Sequence, residues 1–460
     1  MTRHEAGRGS MSALQKKLVL GFALVLALQT CLNLALYFSQ VHGGHFGGDF
    51  VSFWNAARHA RQGDIPAIYD VGRWRAFLLS GADDPAPWFV YPPFALFGLW
   101  PLGTMTYNHA ILAWSLAPLP FYFGLLYLLA RRSLRAQMAE APARAFFVLV
   151  FAAALPLLSA NLFTGQTGAF VAVFLFGAAY FWNSRPALAG ICIGFLAIKP
   201  QMGLLLPFAL FAACNFRAIL SAAATILVAC AAATAWLGAG IWSDYLHMTQ
   251  LFGGLIGRGH GGIRQLVVGP YVSLQAAGLP AILAGILQAL ITLTLLGVII
   301  YVFSRWKVSR SEGNKDDGGM DLRLGLLAAG MLLATPYSLS YDTPLLMLAV
   351  VPLLARIWCR GWTAMELAAF SSLIILPFAQ PLLLKSHVPF GFLAVALSFW
   401  VLLRCYRHEP AKQFTNPQMH LLPSTGTKAE EKYDAYERGD KNSPVKCRPI
   451  NKRSDASVKL

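Results

Sequence analysis

An aspartate, Asp49, stands between a Gly-Gly pair and three aromatic rings in His45-Phe46-Gly47-Gly48-Asp49-Phe50-Val51-Ser52-Phe53-Trp54, where the first long apolar stretch ends. A carboxylate at such a place can accept the proton of a substrate hydroxyl, and partial withdrawal from water moves its pKa toward that of a useful base. The plainer readings are a solvated loop carboxylate, or a cap on a helix containing Phe53 and Trp54.

Four other short stretches carry polar chemistry on an apolar background. Tyr91-Pro92-Pro93 precedes an apolar segment. Its prolines fix an extended approach and stop an incoming helix, a structural use that is the simpler reading, with Tyr91 as a substrate-binding candidate. In Thr164-Gly165-Gln166-Thr167-Gly168, Gln166 either hydrogen-bonds a sugar hydroxyl or satisfies a tight turn. Lys199-Pro200-Gln201 puts an amine inside an apolar hairpin, where it needs an anionic partner from a side chain or from a ligand phosphate. Arg258, His260 and Arg264 lie in a Gly-rich run, and Tyr337, Tyr341 and Asp342 follow in Ala334-Thr335-Pro336-Tyr337-Ser338-Leu339-Ser340-Tyr341-Asp342. Two guanidiniums on flexible backbone suit a phosphate, and Asp342 could orient a cation. A merely solvated loop fits the arginines equally well.

Several chemistries are disfavoured. His42 and His45 near Asp49 make too weak a ligand set to predict a metal, and no cofactor is indicated. The chain has no Walker loop, no dinucleotide fingerprint after a strand, no Gly-x-Ser-x-Gly and no Cys-x-x-Cys. Nucleotide-driven or hydrolytic cytoplasmic chemistry is therefore not expected.

The elements that must position these residues are membrane helices. Of 460 residues, 57% are hydrophobic and only 13% charged, about half the charge of a soluble domain of ordinary composition. Apolar runs long enough to cross a bilayer as helix recur along the chain. The fold class expected is an all-α polytopic membrane protein. The net charge of +16 does not point to nucleic acid, because Lys and Arg cluster at the termini and between apolar runs, as in cytoplasmic loops. The seven cysteines lie in or near apolar runs or in the C-terminal tail and suggest no disulfide framework.

Spans are predicted over 17–40, 107–130, 144–163, 166–183, 218–238, 281–304, 324–338, 343–358, 362–382 and 387–404. The segment 187–213 reads as two half-length helices bent at Lys199, with both ends on the cytoplasmic side. Residues 1–16 form a cytoplasmic N-terminus and 17–405 the membrane domain. Within it, 41–106 is an extracytoplasmic loop whose interleaved Trp and charged residues predict amphipathic surface helices. From 406 to 460 the chain turns polar and basic, as a disordered cytoplasmic tail with some attraction to anionic lipid.

The ordered set GGDFVSFWNAARHARQGDIPAIYD, YPPFALFGLWPL, NLFTGQTGAF, PALAGICIGFLAIKPQMGLLLP and ATPYSLSYDTPLL resembles glycosyltransferase family 87, integral membrane enzymes of the GT-C fold. The resemblance runs from about Asp49 to Asp342. It implies a bundle of roughly 11–13 transmembrane helices in a bacterial plasma membrane. It also implies transfer of a hexose, often mannose, from a polyprenyl-phosphate donor to a glycan or glycolipid acceptor on the extracytoplasmic face. Asp49 matches the position of the presumed base. The sequence departs from the family at Tyr341-Asp342, where members often carry histidine. Lys199, Arg258, Arg264 and His260 are then candidates for the donor phosphate, and Gln166, Tyr91, Tyr341 and Asp342 for the substrates. A transporter or flippase of lipid-linked sugars is the rival from another class, and a non-catalytic protein of envelope-polysaccharide assembly is a further one.

Overall fold

Hydrocarbon leaves backbone groups no partner outside the segment itself, so a chain this apolar folds as helix. The computed structural model describes residues 13–40, 48–70, 72, 89–135, 144–257, 266–311 and 318–408. Eight helices among them are long and apolar enough to cross a membrane: Ala13–Ala35, Tyr107–Arg135, Arg144–Thr164, Phe216–Leu237, Ala281–Arg305, Ser340–Arg360, Ala364–Leu384 and Phe390–Arg407. Three shorter apolar helical segments, Gly168–Phe181, Pro186–Ile198 and Pro200–Ala212, accompany them. The described residues contain no strand, and a single antiparallel bridge joins Val267 to Leu339. The protein is an all-α polytopic membrane protein, as its hydropathy predicts.

The bent hairpin forms where the sequence places it. Pro186 opens one limb, Lys199 breaks the helix at φ −127°, and Pro200 restarts it. Asn215, just past the second limb, donates from Nδ2 to the carbonyl of Trp182 just before the first, at 3.5 Å, so both ends lie together. The first limb of 10 residues is about 15 Å long at 1.5 Å per residue. That is roughly half of a ~30 Å hydrocarbon core, so Lys199 sits well inside the bundle. Gly190 and Gly194 permit the close approach of the helix Phe216–Leu237. A Cβ at Gly190 would overlap Ser221 and the Ala218 backbone, and one at Gly194 would come within 2.5 Å of Thr225 Cβ.

The two ends of the bundle differ in chemistry. At one end Lys16 lies 5.0 Å from the Trp358 ring, Arg323 lies 5.2 Å from the Tyr406 ring, and Arg356 stands 3.7 Å from Glu366. Arg132 there clamps Asp321 through Nε and Nη2. The opposite end carries the segments that follow the first helix. The helix Phe50–Gln62 buries Phe50, Val51, Phe53, Ala57 and Ala60 on one face, at helical spacing. Its other face carries Arg58 over Trp54 and Arg61 over Trp100. The helix stops at Gly63, whose left-handed φ of 77° lets its N–H reach the carbonyl of His59. An amphipathic helix of this kind is the one predicted for the loop; Arg73, Trp74, Arg75 and Trp88 of that loop lie outside the described residues.

A candidate active site around Asp49

Asp49 opens the helix Phe50–Gln62 with its backbone only. Its carbonyl accepts from the N–H of Ser52 at 3.2 Å and from Ser52 Oγ at 2.8 Å. Its side chain makes no capping bond, which removes the helix-cap reading. The carboxylate turns instead across the bundle, where Gln166 Nε2 donates to Oδ2 at 2.7 Å. Among the described residues no group donates to Oδ1. Burial raises the Asp49 pKa above the ordinary carboxylate value, while the Gln166 hydrogen bond and the Lys199 charge oppose the shift.

Gln166 is presented by a turn that its neighbours dictate. Asn161 donates from Nδ2 to the Gln166 carbonyl at 2.8 Å and accepts the Gln166 N–H through its own carbonyl at 3.2 Å. Gly165 takes φ +65°, and a Cβ there would lie 2.6 Å from Phe50 Cβ. Trp114 Nε1 donates to the Gly165 carbonyl at 2.9 Å. A Cβ at Gly168 would fall into the carbonyl of Tyr341. Gly165 therefore lets the turn close against the Phe50 side chain, and Gly168 lets it close against the Tyr341 backbone. The turn reading of this stretch is realised by the backbone of Gln166, while its side-chain amide is turned to Asp49 and Tyr91.

Tyr91 arrives on an extended backbone, with Pro92 at φ −57° and ψ 149°, as its two prolines require. Its hydroxyl donates to Gln166 Oε1 at 2.7 Å and lies 3.0 Å from Thr167 Oγ1. Tyr69 donates to the Tyr91 carbonyl at 2.6 Å. Burial pushes the Tyr91 hydroxyl pKa up, so it remains a protonated donor.

Lys199 and Asp342 complete the cluster. They are 3% and 2% exposed, and Nζ lies 2.5 Å from Asp342 Oδ1. The second oxygen, Oδ2, accepts the Leu339 N–H at 3.2 Å. Nζ also lies 4.5 Å from the Tyr341 ring and 6.0 Å from the Tyr91 ring. The anionic partner that an apolar hairpin demands of its lysine is thus a side chain of this protein. Asp342 is held rigidly by its surroundings. Val268 and Gly269 donate to the Ser338 carbonyl at 2.8 and 2.9 Å, and Ser340 Oγ donates to the Leu266 carbonyl at 2.7 Å.

Six residues singled out in the sequence, Asp49, Tyr91, Gln166, Lys199, Tyr341 and Asp342, therefore meet in one place although 293 positions separate the first from the last (342 − 49). Arg258, His260 and Arg264, and the pair His42 and His45, lie outside the described residues. Asn161, Thr167 and Tyr69 serve the site without having been anticipated. Asn161 carried a readable signal, as the one amide in the stretch 152–163, where Ser159 is the other polar residue. Thr167 and Tyr69 carried none, since each acts through a contact with Tyr91 that spacing does not reveal.

The family model of glycosyltransferase family 87 matches residues 89–336, more than half of the chain. The match takes in Tyr91, Gln166 and Lys199, while Asp49, Tyr341 and Asp342 fall outside it. No curated protein and no solved structure matches the chain.

Proposed function

The chain belongs to glycosyltransferase family 87, and we propose that it transfers a hexose, mannose among the candidates, from a polyprenyl-phosphate donor to a hydroxyl of a glycan or glycolipid acceptor. Asp49 takes the proton of the acceptor hydroxyl as its oxygen attacks the anomeric carbon. The bond from that carbon to the phosphate oxygen breaks, its electron pair leaves with the polyprenyl phosphate, and the configuration inverts. The observation that carries this reading is the asymmetry of the Asp49 carboxylate. One oxygen is fixed by Gln166 at 2.7 Å, and the other accepts nothing from the described residues.

The leaving phosphate needs positive charge nearby. Lys199 supplies a field from below the site. Asp342 takes one of its three N–H groups. Arg258, His260 and Arg264 are the candidates for direct phosphate contact. The chain that resumes after them is pinned beside Asp342 by the Ser340–Leu266 bond. Gln166 keeps one N–H beyond the one given to Asp49, and by it would reach a sugar hydroxyl. Tyr341, over the Lys199 ammonium, would wall the donor side. No nucleotide is required, since the lipid phosphate is itself the leaving group.

The arginine-rich end of the bundle is the cytoplasmic one by the positive-inside rule, which supports a site on the extracytoplasmic face and both termini in the cytoplasm. The test is incubation of the purified protein in vesicles with a polyprenyl-phosphate hexose, with products read by mass spectrometry. A new glycosidic bond made from the lipid donor and not from a nucleotide sugar is the expected result. Translocation of intact lipid-linked sugar without a new bond would assign the chain to transport, a reading that the broken Lys199 hairpin also fits.

A further inference from the structure

Beside Asp49 two donors converge on the Gln166 amide oxygen. The Thr167 N–H, which can only donate, points to Gln166 Oε1 at 3.4 Å. The Tyr91 hydroxyl reaches the same oxygen at 2.7 Å. Lys199 Nζ lies 6.0 Å from the centroid of the Tyr91 ring, and an ammonium has no acceptor, so its charge directs the tyrosine proton away from itself and toward Gln166. With Oε1 so engaged, the amide cannot turn over, and Nε2 faces Asp49. We propose that Tyr91 is a positioning residue for Asp49: its hydroxyl, kept a donor by Lys199, locks the Gln166 amide so that Nε2 holds Oδ2 and Oδ1 is left to face the acceptor hydroxyl.

The assignment deepens the base reading of Asp49 and rests on it. Tyr91 touches no reacting atom in this scheme and acts through Gln166. Its ring stays locked by packing, with its centroid 5.0 Å from Phe53 and 5.9 Å from Phe89. The relay keeps Asp49 ionised against the burial that opposes its charge, since a carboxylate accepts from an N–H and a carboxylic acid gains less from it. Five other ionisable groups act on the cluster from the elements around it, Tyr337 from the stretch after the helix Gly318–Ala334 among them. Lys199 comes from the hairpin bend, Asp342 and Tyr341 from the segment before the helix Met347–Arg360, and Tyr91 from the proline-led loop.

Carbodiimide labelling reads this without turnover, because dicyclohexylcarbodiimide modifies a protonated carboxyl in an apolar setting and peptide mass spectrometry locates the adduct. The pH at which Asp49 is half labelled should rise by about one unit in Tyr91→Phe, the size of one neutral hydrogen bond near 1 kcal/mol. Gln166→Leu should move it at least as far, and Tyr91→Phe combined with Gln166→Leu no farther than Gln166→Leu alone. Asp321→Asn, at the opposite end of the bundle and outside the relay, should titrate at Asp49 as the wild type does. A Tyr91→Phe profile superimposed on that of the wild type overturns the proposal. So does additivity in the double variant, and if Tyr91→Phe does not accumulate, an unshifted Gln166→Leu profile overturns it as well. The base assignment fails separately: full transfer by Asp49→Asn would remove it while leaving the labelling shift in place.

Discussion

Asp49 and Asp321 are both carboxylates drawn away from water at opposite ends of the bundle, and their oxygens are treated differently. Asp321 is saturated. Arg132 meets Oδ1 through Nε and Nη2, and Ser133 donates to Oδ2 at 2.5 Å. A third guanidinium nitrogen, Nη1, continues to the Ala179 carbonyl at 3.0 Å, which ties two helices together. Asp49 has a neutral amide on one oxygen, and Lys199, whose charge acts on it, is already paired with Asp342. A buried polar group with all partners met holds a fold together, whereas one left partly unmet calls for an explanation in function. On the proposed reading, the difference separates a structural clasp from a reactive group among residues of the same type.

The contrast breaks most visibly with amide substitutions. Asp49→Asn should lower transfer by about 10²–10⁴-fold, the range of a lost general base, with the protein still folded. Asp321→Asn should leave transfer per folded molecule unchanged and destabilise by about 1–3 kcal/mol, as a buried partner is lost. Transfer assays paired with thermal unfolding in detergent check both. A further effect concerns the second ion pair. Lys199→Met strands the Asp342 carboxylate and should cost about 3–5 kcal/mol. Adding Asp342→Leu should restore most of that stability while transfer stays depressed, because the field at Asp49 is not restored.

The pH dependence sharpens the comparison further. The Asp49 pKa is raised in the folded state, so its contribution to stability is present below the unfolded carboxylate value and is lost as pH rises through the folded value. At neutral pH the ionised carboxylate therefore works against folding. Asp49→Asn should unfold at a higher temperature than the wild type at pH 7, and that gain should shrink as pH falls toward the ordinary carboxylate range. Transfer by the wild type should show an acidic limb above that range. Gly168→Ala is a milder probe of the turn. Its methyl group meets the Tyr341 carbonyl, and the strain should cost about 1–3 kcal/mol by the usual scale of overpacking, read from the unfolding midpoint.

Much of this organisation was legible in the residues themselves. The fold class follows from apolar run length, and the bend at Lys199 follows from a lysine and a proline inside one such run. The cluster members announced themselves as polar groups that an apolar chain must justify. What the sequence left open were pairings across long separations. Whether Lys199 met a phosphate or a side chain depended on where Asp342 folded, 143 residues away. Whether Asp49 capped its own helix or crossed to Gln166 depended on a turn held by Asn161 and admitted by Gly165. Periodicity reports which face of an element is apolar, and it is silent on which two faces meet.

The central claim is that Asp49 is a base with one oxygen reserved for the acceptor. Single-turnover transfer by Asp49→Asn, with polyprenyl-phosphate hexose bound at saturation and folding verified by its unfolding midpoint, tests it most directly. The account predicts donor binding within a few-fold of the wild type and a transfer step slowed by about a hundredfold or more. A transfer step at the wild-type rate in that folded variant would contradict it.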